Sequence, residues 1–181
     1  MQPRIVVLTG ESGCGKTSLC ERIAAWARGH GISVAGVLTP PRICAERKIG
    51  IEIEDVHTLT RRRLAEMDVI GGPSTEQWHF DADGLEWGAE ILSSATPCEL
   101  LVIDELGPLE LIRGEAWQIG LDVLKQGHYQ RALVVVRPGL MARFQARMGY
   151  RNMLTCVVTR TNQDDLFEQL TAELDDQHDP D

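Results

Sequence analysis

Short apolar, β-branched runs alternate along the chain with stretches whose apolar residues recur every three or four positions, the pattern of a parallel sheet with crossover helices. Residues 4–9 read as a buried strand. Residues 16–28 read as a helix with Leu19, Cys20, Ile23, Ala24 and Ala27 on one face and Gly29 at its end. A second strand, 33–38, is expected to close at Pro40-Pro41. Residues 50–59 differ, because apolar and polar positions alternate, with Ile51, Ile53 and Val56 as the apolar set. That alternation marks a half-exposed antiparallel strand. With Arg61-Arg62-Arg63 and a Gly71-Gly72-Pro73 loop after it, 40–80 reads as an inserted β hairpin or small extra sheet.

Asp83 and Glu86 have capping-box spacing ahead of a helix carrying Leu85, Ala89 and Leu92. Residues 100–104 predict a buried strand that turns at Gly107-Pro108. Ala116, Ile119, Gly120, Val123 and Leu124 form the inner face of a helix stopped by Gly127. A strand at 132–136 leads to a helix begun by Pro138 and ended by Gly149, with Leu140, Met141, Phe144 and Met148 inward. A strand at 153–158 and a helix with Leu166, Phe167, Leu170 and Leu174 follow, then an acidic, frayed tail at 175–181. The expectation is one α/β domain, 1–174, of three layers: a mainly parallel sheet flanked by helices, with an inserted antiparallel β segment.

Composition narrows the partners. At 181 residues the chain buries roughly two-thirds of its unfolded surface and needs no disulfide or metal staple. Its formal net charge is −9, against the clustered Lys and Arg of a broad nucleic-acid surface. Five acids fall in the last nine residues, so 1–172 carry −4. Cys14, Cys20, Cys44, Cys98 and Cys156 contain no C-x-x-C pair, which suits a reducing compartment. His30, His57, His79, His128 and His178 lack metal-ligand spacing. No apolar run approaches the ~20 residues of a membrane span, and the N-terminus does not read as a signal peptide. A soluble, cytoplasmic protein is expected.

Gly10-Glu11-Ser12-Gly13-Cys14-Gly15-Lys16-Thr17 matches G-x-x-x-x-G-K-[ST], between an apolar strand and an amphipathic helix. The glycines let successive N–H groups converge on a β-phosphate at a helix N-terminus. Lys16 reaches β- and γ-phosphate oxygens, and Thr17 offers a hydroxyl to Mg²⁺. Downstream, Leu100-Leu101-Val102-Ile103-Asp104-Glu105 delivers two carboxylates to the carboxyl edge of the sheet. Asp104 suits the Mg²⁺, opposite Thr17. Glu105 is placed to activate water against a γ-phosphate; the plainer alternative is an acid that opens a loop. The expected ligands are a nucleoside triphosphate, such as ATP or GTP, and Mg²⁺.

The pairing of GESGCGKT with LLVIDELGPLEL resembles the small P-loop nucleoside-triphosphatase family described from thermophiles and from human as the cancer-related nucleoside-triphosphatase. GVLTPP, KIGIEIEDV and VVTRTNQDDL agree with it, so the resemblance runs from about Ile5 to Leu174. It implies slow, Mg²⁺-dependent hydrolysis of nucleoside triphosphates with loose base preference. It also implies a RecA-like sheet, with the strand ending at Val136 between the phosphate-loop strand and the Asp104 strand. Gly10 to Thr17 would bind phosphate, Thr17 and Asp104 would serve Mg²⁺, and Lys16 and Glu105 would be catalytic. Glu110 also matches. Its open roles are to orient Glu105, to order the loop, or to be a surface acid.

The resemblance departs at two places. Relatives carry a small or His-containing segment where this chain has Arg137-Pro138-Gly139. Arg137 either senses transferred charge, as an arginine finger in cis, or pairs with a nearby acid, the reading favoured here. Relatives have Asn-Arg before the last helix, against Thr161-Asn162-Gln163 here. Asn162 has the N-x-x-D spacing of a guanine reader without its Lys, and a helix N-cap explains it more simply. Trp78 either covers a nucleobase or is buried under the insertion. Cys14 exposes the phosphate loop to thiol reagents.

Two other function classes share this site. A small-molecule or nucleoside kinase needs an acceptor pocket and an Arg-rich lid; residues 42–63 are the basic candidate, although they alternate like a sheet. A nucleotide-dependent switch or assembly factor would respond to a protein partner.

Overall fold

In the computed structural model, which describes residues 5–66, 78–149 and 151–175, strand β1 (Ile5–Thr9) is buried along its whole length. Ile5 and Val7 enter one core while Val6 and Leu8 enter another, as the two-residue period of a strand requires. Helices α1 (Lys16–Gly29) and α5 (Gln163–Asp175) cover one face of the sheet with Leu19, Ile23 and Leu170. Helices α2 (Ala82–Ser94), α3 (Gln118–Gln126) and α4 (Met141–Met148) cover the other with Leu92, Leu124 and Phe144. The result is three layers.

Strands β2 (Val34–Leu38), β7 (Cys98–Leu106), β8 (Tyr129–Val136), β1 and β9 (Met153–Val157) lie side by side in that order, all parallel. Strand β8 thus separates β1 from β7, as the resemblance implied. The insertion adds β3 (Pro41–Cys44), β4 (Arg47–Asp55), β5 (Arg61–Glu66) and β6 (His79–Phe80), all antiparallel. It is no separate hairpin, because Val37 and Leu38 of β2 pair with Asp55 and Glu54 of β4 and make one continuous sheet. The Gly71-Gly72-Pro73 loop and residues 176–181 of the expected tail lie outside the described residues.

Strand β2 closes at Leu38, ahead of Pro40-Pro41 as expected; Pro41 then opens β3, and the Pro40 C=O accepts the Glu52 N–H at 3.0 Å. Proline lacks a donor but keeps its acceptor, so an edge strand tolerates it. Three local expectations need correction. Helix α1 continues through Gly29 and is closed at His30, whose N–H reaches the Trp26 and Ala27 carbonyls. The cap of α2 is Asp81, whose carboxylate accepts the Asp83 and Gly84 N–H groups. Asp83 sits instead in the first turn, where an acid favours the helix dipole. Strand β7 extends from Cys98 past the expected end to Leu106, and a short π-helix, Leu109–Arg113, follows its turn.

The close approach of β2 to β7 depends on Gly36. Its φ is +116°, and a Cβ there would lie 1.9 Å from the Val102 carbonyl oxygen. Backbone cannot move aside as a rotamer can. Gly36→Ala is therefore expected to destabilise the fold by about 2–5 kcal/mol, from overpacking and left-handed strain together. Urea unfolding checks this; a midpoint equal to that of the native protein would show that the β2–β7 spacing is adjustable.

Candidate active site

At the carboxyl end of β1 the chain passes directly into the glycine-rich loop and then α1. Gly10, Gly13 and Gly15 adopt φ of 147°, 74° and 98°. At Gly10 a Cβ would lie 2.3 Å from the Val158 carbonyl oxygen, so only glycine lets the loop start this close to β9. Lys16 folds back over the loop and donates from Nζ to the Gly10 and Glu11 carbonyls at 2.8 Å each. Glu11 and Ser12 are exposed at the rim, while Cys14 packs in the core with its Sγ 3.7 Å from the Lys16 ammonium. The Cys14 side chain therefore does not line the phosphate hollow, and burial shields the thiol expected to meet reagents. Its carbonyl accepts the Gln163 Nε2–H at 2.9 Å, which ties α5 to the loop.

Asp104 is 1% exposed. Its Oδ2 accepts the N–H and hydroxyl of Thr39 at 3.1 and 3.3 Å, and the Thr17 hydroxyl also donates to the carboxylate. Burial, and after it the Glu105 charge, push the Asp104 carboxyl up to about 6, against these donors. The folded state thus holds the proton more tightly than the unfolded chain, whose ordinary value is 3.8. Stability of the nucleotide-free protein is expected to fall as pH rises from about 4 to 6, with the full deficit present above that window. Asp104→Asn should remove the dependence and raise stability at pH 7–8 by up to about 3 kcal/mol. Urea titrations across pH test it, and identical pH profiles for the two proteins would count against a strained carboxylate.

Glu105 follows at the edge of the cavity, with Oε1 accepting the Arg137 Nε–H at 2.5 Å. Of the two roles left open for Arg137, the structure shows the ion pair, and its partner is the acid singled out as the base. The Asp104–Glu105 peptide bond is cis. Glu110 is not a surface acid. It is 4% exposed, and its carboxylate accepts the Gly107 N–H at 2.8 Å and the Trp117 N–H at 3.3 Å. Burial raises its carboxyl above the ordinary range, and these backbone donors oppose the rise. Glu110 therefore orders the turn at Gly107 that follows Glu105, and it does so from the π-helix. Trp117 is fixed in addition by an Nε1–H bond to the Leu85 carbonyl at 3.0 Å.

Asn162 precedes α5 but does not cap it with its side chain. Its Oδ1 accepts the Thr159 N–H and its Nδ2 donates to the Val157 carbonyl, at 2.8 and 2.9 Å. The amide braces the preceding loop, because both of these backbone groups lie behind it. The basic stretch 42–63 forms sheet, with four of its five arginines engaged: Arg42 pairs with Glu66, Arg61 with Glu54 and Arg63 with Asp81, and Arg62 stacks over Trp87. It is not a lid of free guanidinium groups.

One cavity of about 520 Å³ joins these parts. Its polar half is the phosphate loop with Lys16, Thr17, Thr39, Glu105 and Arg137. Its other half lies under the insertion, between Ile51, Leu64, Trp78, Phe80, Leu85 and Trp117. Trp78 stands there, on the Glu105 side, with the Lys48 ammonium 4.9 Å from its ring centre. Much of Lys48 remains exposed, yet desolvation lowers its pKa, the Glu105 carboxylate opposing and Arg137 reinforcing the shift. Thr39, Lys48, Trp117 and Gln163 were not identified as site residues from sequence. Thr39, Lys48 and Gln163 lie within the GVLTPP, KIGIEIEDV and VVTRTNQDDL segments that agreed with the resemblance, whereas Trp117 carries no local signal.

The donors fit a Mg²⁺ ion that arrives with a nucleotide. Thr17 and Asp104 offer one hydroxyl and one carboxylate, and among the described residues no three His, Cys, Asp or Glu side chains cluster to cage a cation. Mg²⁺ favours such sites, where waters and phosphate oxygens complete its shell. Among the described residues no helix is long and apolar enough to cross a membrane.

Known proteins resemble this chain over most of its length. It is 31% identical over 170 residues to the nucleoside-triphosphatase THEP1 of Methanosarcina acetivorans, covering 92% of this chain and 94% of that protein. It is 31% identical over 106 residues to the nucleoside-triphosphatase THEP1 of Caldivirga maquilingensis, a match that spans 59% of this chain and only 60% of that relative's length. The solution structure of a human cancer-related nucleoside triphosphatase superposes with a TM-score of 0.71 at 22% identity, over 97% of this chain and 100% of that one, which establishes the shared fold. The family model for NTPase matches residues 5–171, from β1 into α5, and the chain belongs to that family.

Proposed function

We propose that the protein hydrolyses nucleoside triphosphates to diphosphate and phosphate, with Mg²⁺, slowly and with loose base preference. The observation that carries this reading is Glu105, a carboxylate next to Asp104 that lines the same cavity as Lys16. In this mechanism Gly10 to Gly15 bind the β-phosphate through backbone N–H groups, and Lys16 leaves the Gly10 and Glu11 carbonyls to hold β- and γ-oxygens. Thr17 and Asp104 would hold Mg²⁺, which supplies neutralising charge to those oxygens. Glu105 orients a water and takes its proton. Slow turnover follows from Arg137, which competes with that water for the carboxylate.

Loose base preference has a physical basis too. The loop contacts phosphate alone, and Asn162, the residue with guanine-reading spacing, uses its amide on the loop backbone. We read residues 1–174 as one NTPase domain that works in the cytoplasm, consistent with its five free cysteines. Phosphate release from ATP, GTP, CTP and UTP, with and without Mg²⁺, tests the proposal. All four should be cleaved at rates within about tenfold of one another, since no residue facing the base is expected to supply the ~1.4 kcal/mol that a tenfold preference needs. Tight nucleotide binding without any release would overturn it.

A further inference from the structure

The cavity continues past the place where a γ-phosphate meets Glu105. Sheet order sets the direction of the nucleotide: β7, which carries Asp104 and Glu105, is followed by β8, β1 and β9. A triphosphate on the loop after β1, with its γ end at Glu105, sends its nucleoside the other way, toward β9 and α5. The apolar half of the cavity lies on the opposite side of Glu105, under the insertion, where that nucleoside does not reach. Attack by water needs no such compartment.

Its walls are built and held. Trp117 is pinned by the Leu85 carbonyl and the Glu110 carboxylate. Gly88 keeps room for it, since a Cβ there would lie 2.5 Å from the Trp117 Nε1. Trp78, Phe80 and Trp117 present aromatic surface, and Ile51, Leu64 and Leu85 fill the remainder of the lining. Such walls suit an uncharged planar ring system. At the inner end the Glu110 carboxylate is occupied by two backbone N–H groups, so the acid facing the compartment is Glu105, which is paired through Oε1 with Arg137 and has Lys48 nearby.

Resting on the placement of the γ-phosphate argued above, we propose that this compartment seats a second substrate, a small aromatic alcohol, whose hydroxyl replaces water as the phosphoryl acceptor. Glu105 takes the hydroxyl proton and the alcohol oxygen bonds to the γ-phosphorus. The bond from that phosphorus to the β–γ bridging oxygen breaks, so the nucleoside diphosphate leaves and the alcohol becomes a phosphate monoester. Lys48 and Arg137 bracket the charge on the transferring group. With the compartment empty, water occupies the acceptor position and hydrolysis results.

The test uses the full chain with ATP, Mg²⁺ and 2-naphthalenemethanol as probe, with products read by phosphorus NMR and mass spectrometry. The expected result is saturable formation of the naphthylmethyl phosphate ester, with inorganic phosphate falling by the same amount. Leu64→Trp, which fills the compartment, should lower the ratio of ester to inorganic phosphate at least tenfold, and Ile51→Phe is a second variant with the same expected direction. A ratio is independent of how much protein is folded. Steady phosphate release with no ester, or an ester ratio that both variants leave unchanged, would overturn the acceptor proposal and leave the hydrolase reading standing. Absence of both ATP binding and phosphate release would overturn the γ-phosphate placement itself.

Discussion

Glu105→Gln is expected to slow phosphate release by about 10²–10⁴-fold, the usual contribution of a general base, with nucleotide affinity changed by no more than a few-fold. The amide matches the carboxylate in shape and keeps an oxygen for the Arg137 Nε–H, which now contacts Oε1 at 2.5 Å. What it loses is the capacity to take a proton. Glu110, the nearby buried acid, is not placed to substitute, because its oxygens are occupied by the Gly107 and Trp117 N–H groups. Single-turnover phosphate release alongside binding of a fluorescent nucleotide separates the two effects. Full turnover by the Gln variant would remove Glu105 from the chemistry.

Lys16→Ala is expected to act on affinity first. Its side chain is buried and its ammonium donates to two loop carbonyls, so it is held over the phosphate loop. Hydrogen bonds to a charged group contribute about 1.5–3 kcal/mol each. Losing one to a β-oxygen and one to a γ-oxygen should weaken nucleotide binding by about 10²–10⁴-fold. Calorimetric titration with a non-hydrolysable ATP analogue measures this directly. If affinity stayed within threefold, Lys16 would be a brace for the loop and not a phosphate ligand. The two variants thus separate: one keeps the nucleotide and loses chemistry, the other loses the nucleotide.

Much of the architecture was legible because it rests on local periodicity. The alternation of Ile5, Val6, Val7 and Leu8 into two cores, and the helical faces of α1 and α3, follow from strand and helix geometry acting on neighbours in sequence. The phosphate loop was legible for a related reason: its glycines, Lys16 and Thr17 are contiguous, and their chemistry requires that they be. Boundaries were read less well. Asp81, two residues ahead of the expected cap, won because its carboxylate reaches the Asp83 and Gly84 N–H groups and also pairs with Arg63 from β5. A side chain that serves a cap and a strand at once is invisible to spacing alone.

The sequence by itself determined the phosphate loop, the strand that delivers Asp104 and Glu105, and the alternation of strands and helices, since each is encoded within a dozen consecutive residues. Tertiary structure alone decided the rest of the site. Arg137 meets Glu105 across 32 positions because β8 lies beside β7. Thr39 reaches Asp104 across 65 positions because β2 lies on its other side. Gln163 reaches the loop at Cys14 across 149 positions because α5 returns beside α1. The apolar compartment exists because β4 pairs with β2 and brings the insertion over Trp117. Such contacts depend on which strands become neighbours, and strand order is set by packing of the whole chain, where no local pattern of residues records it.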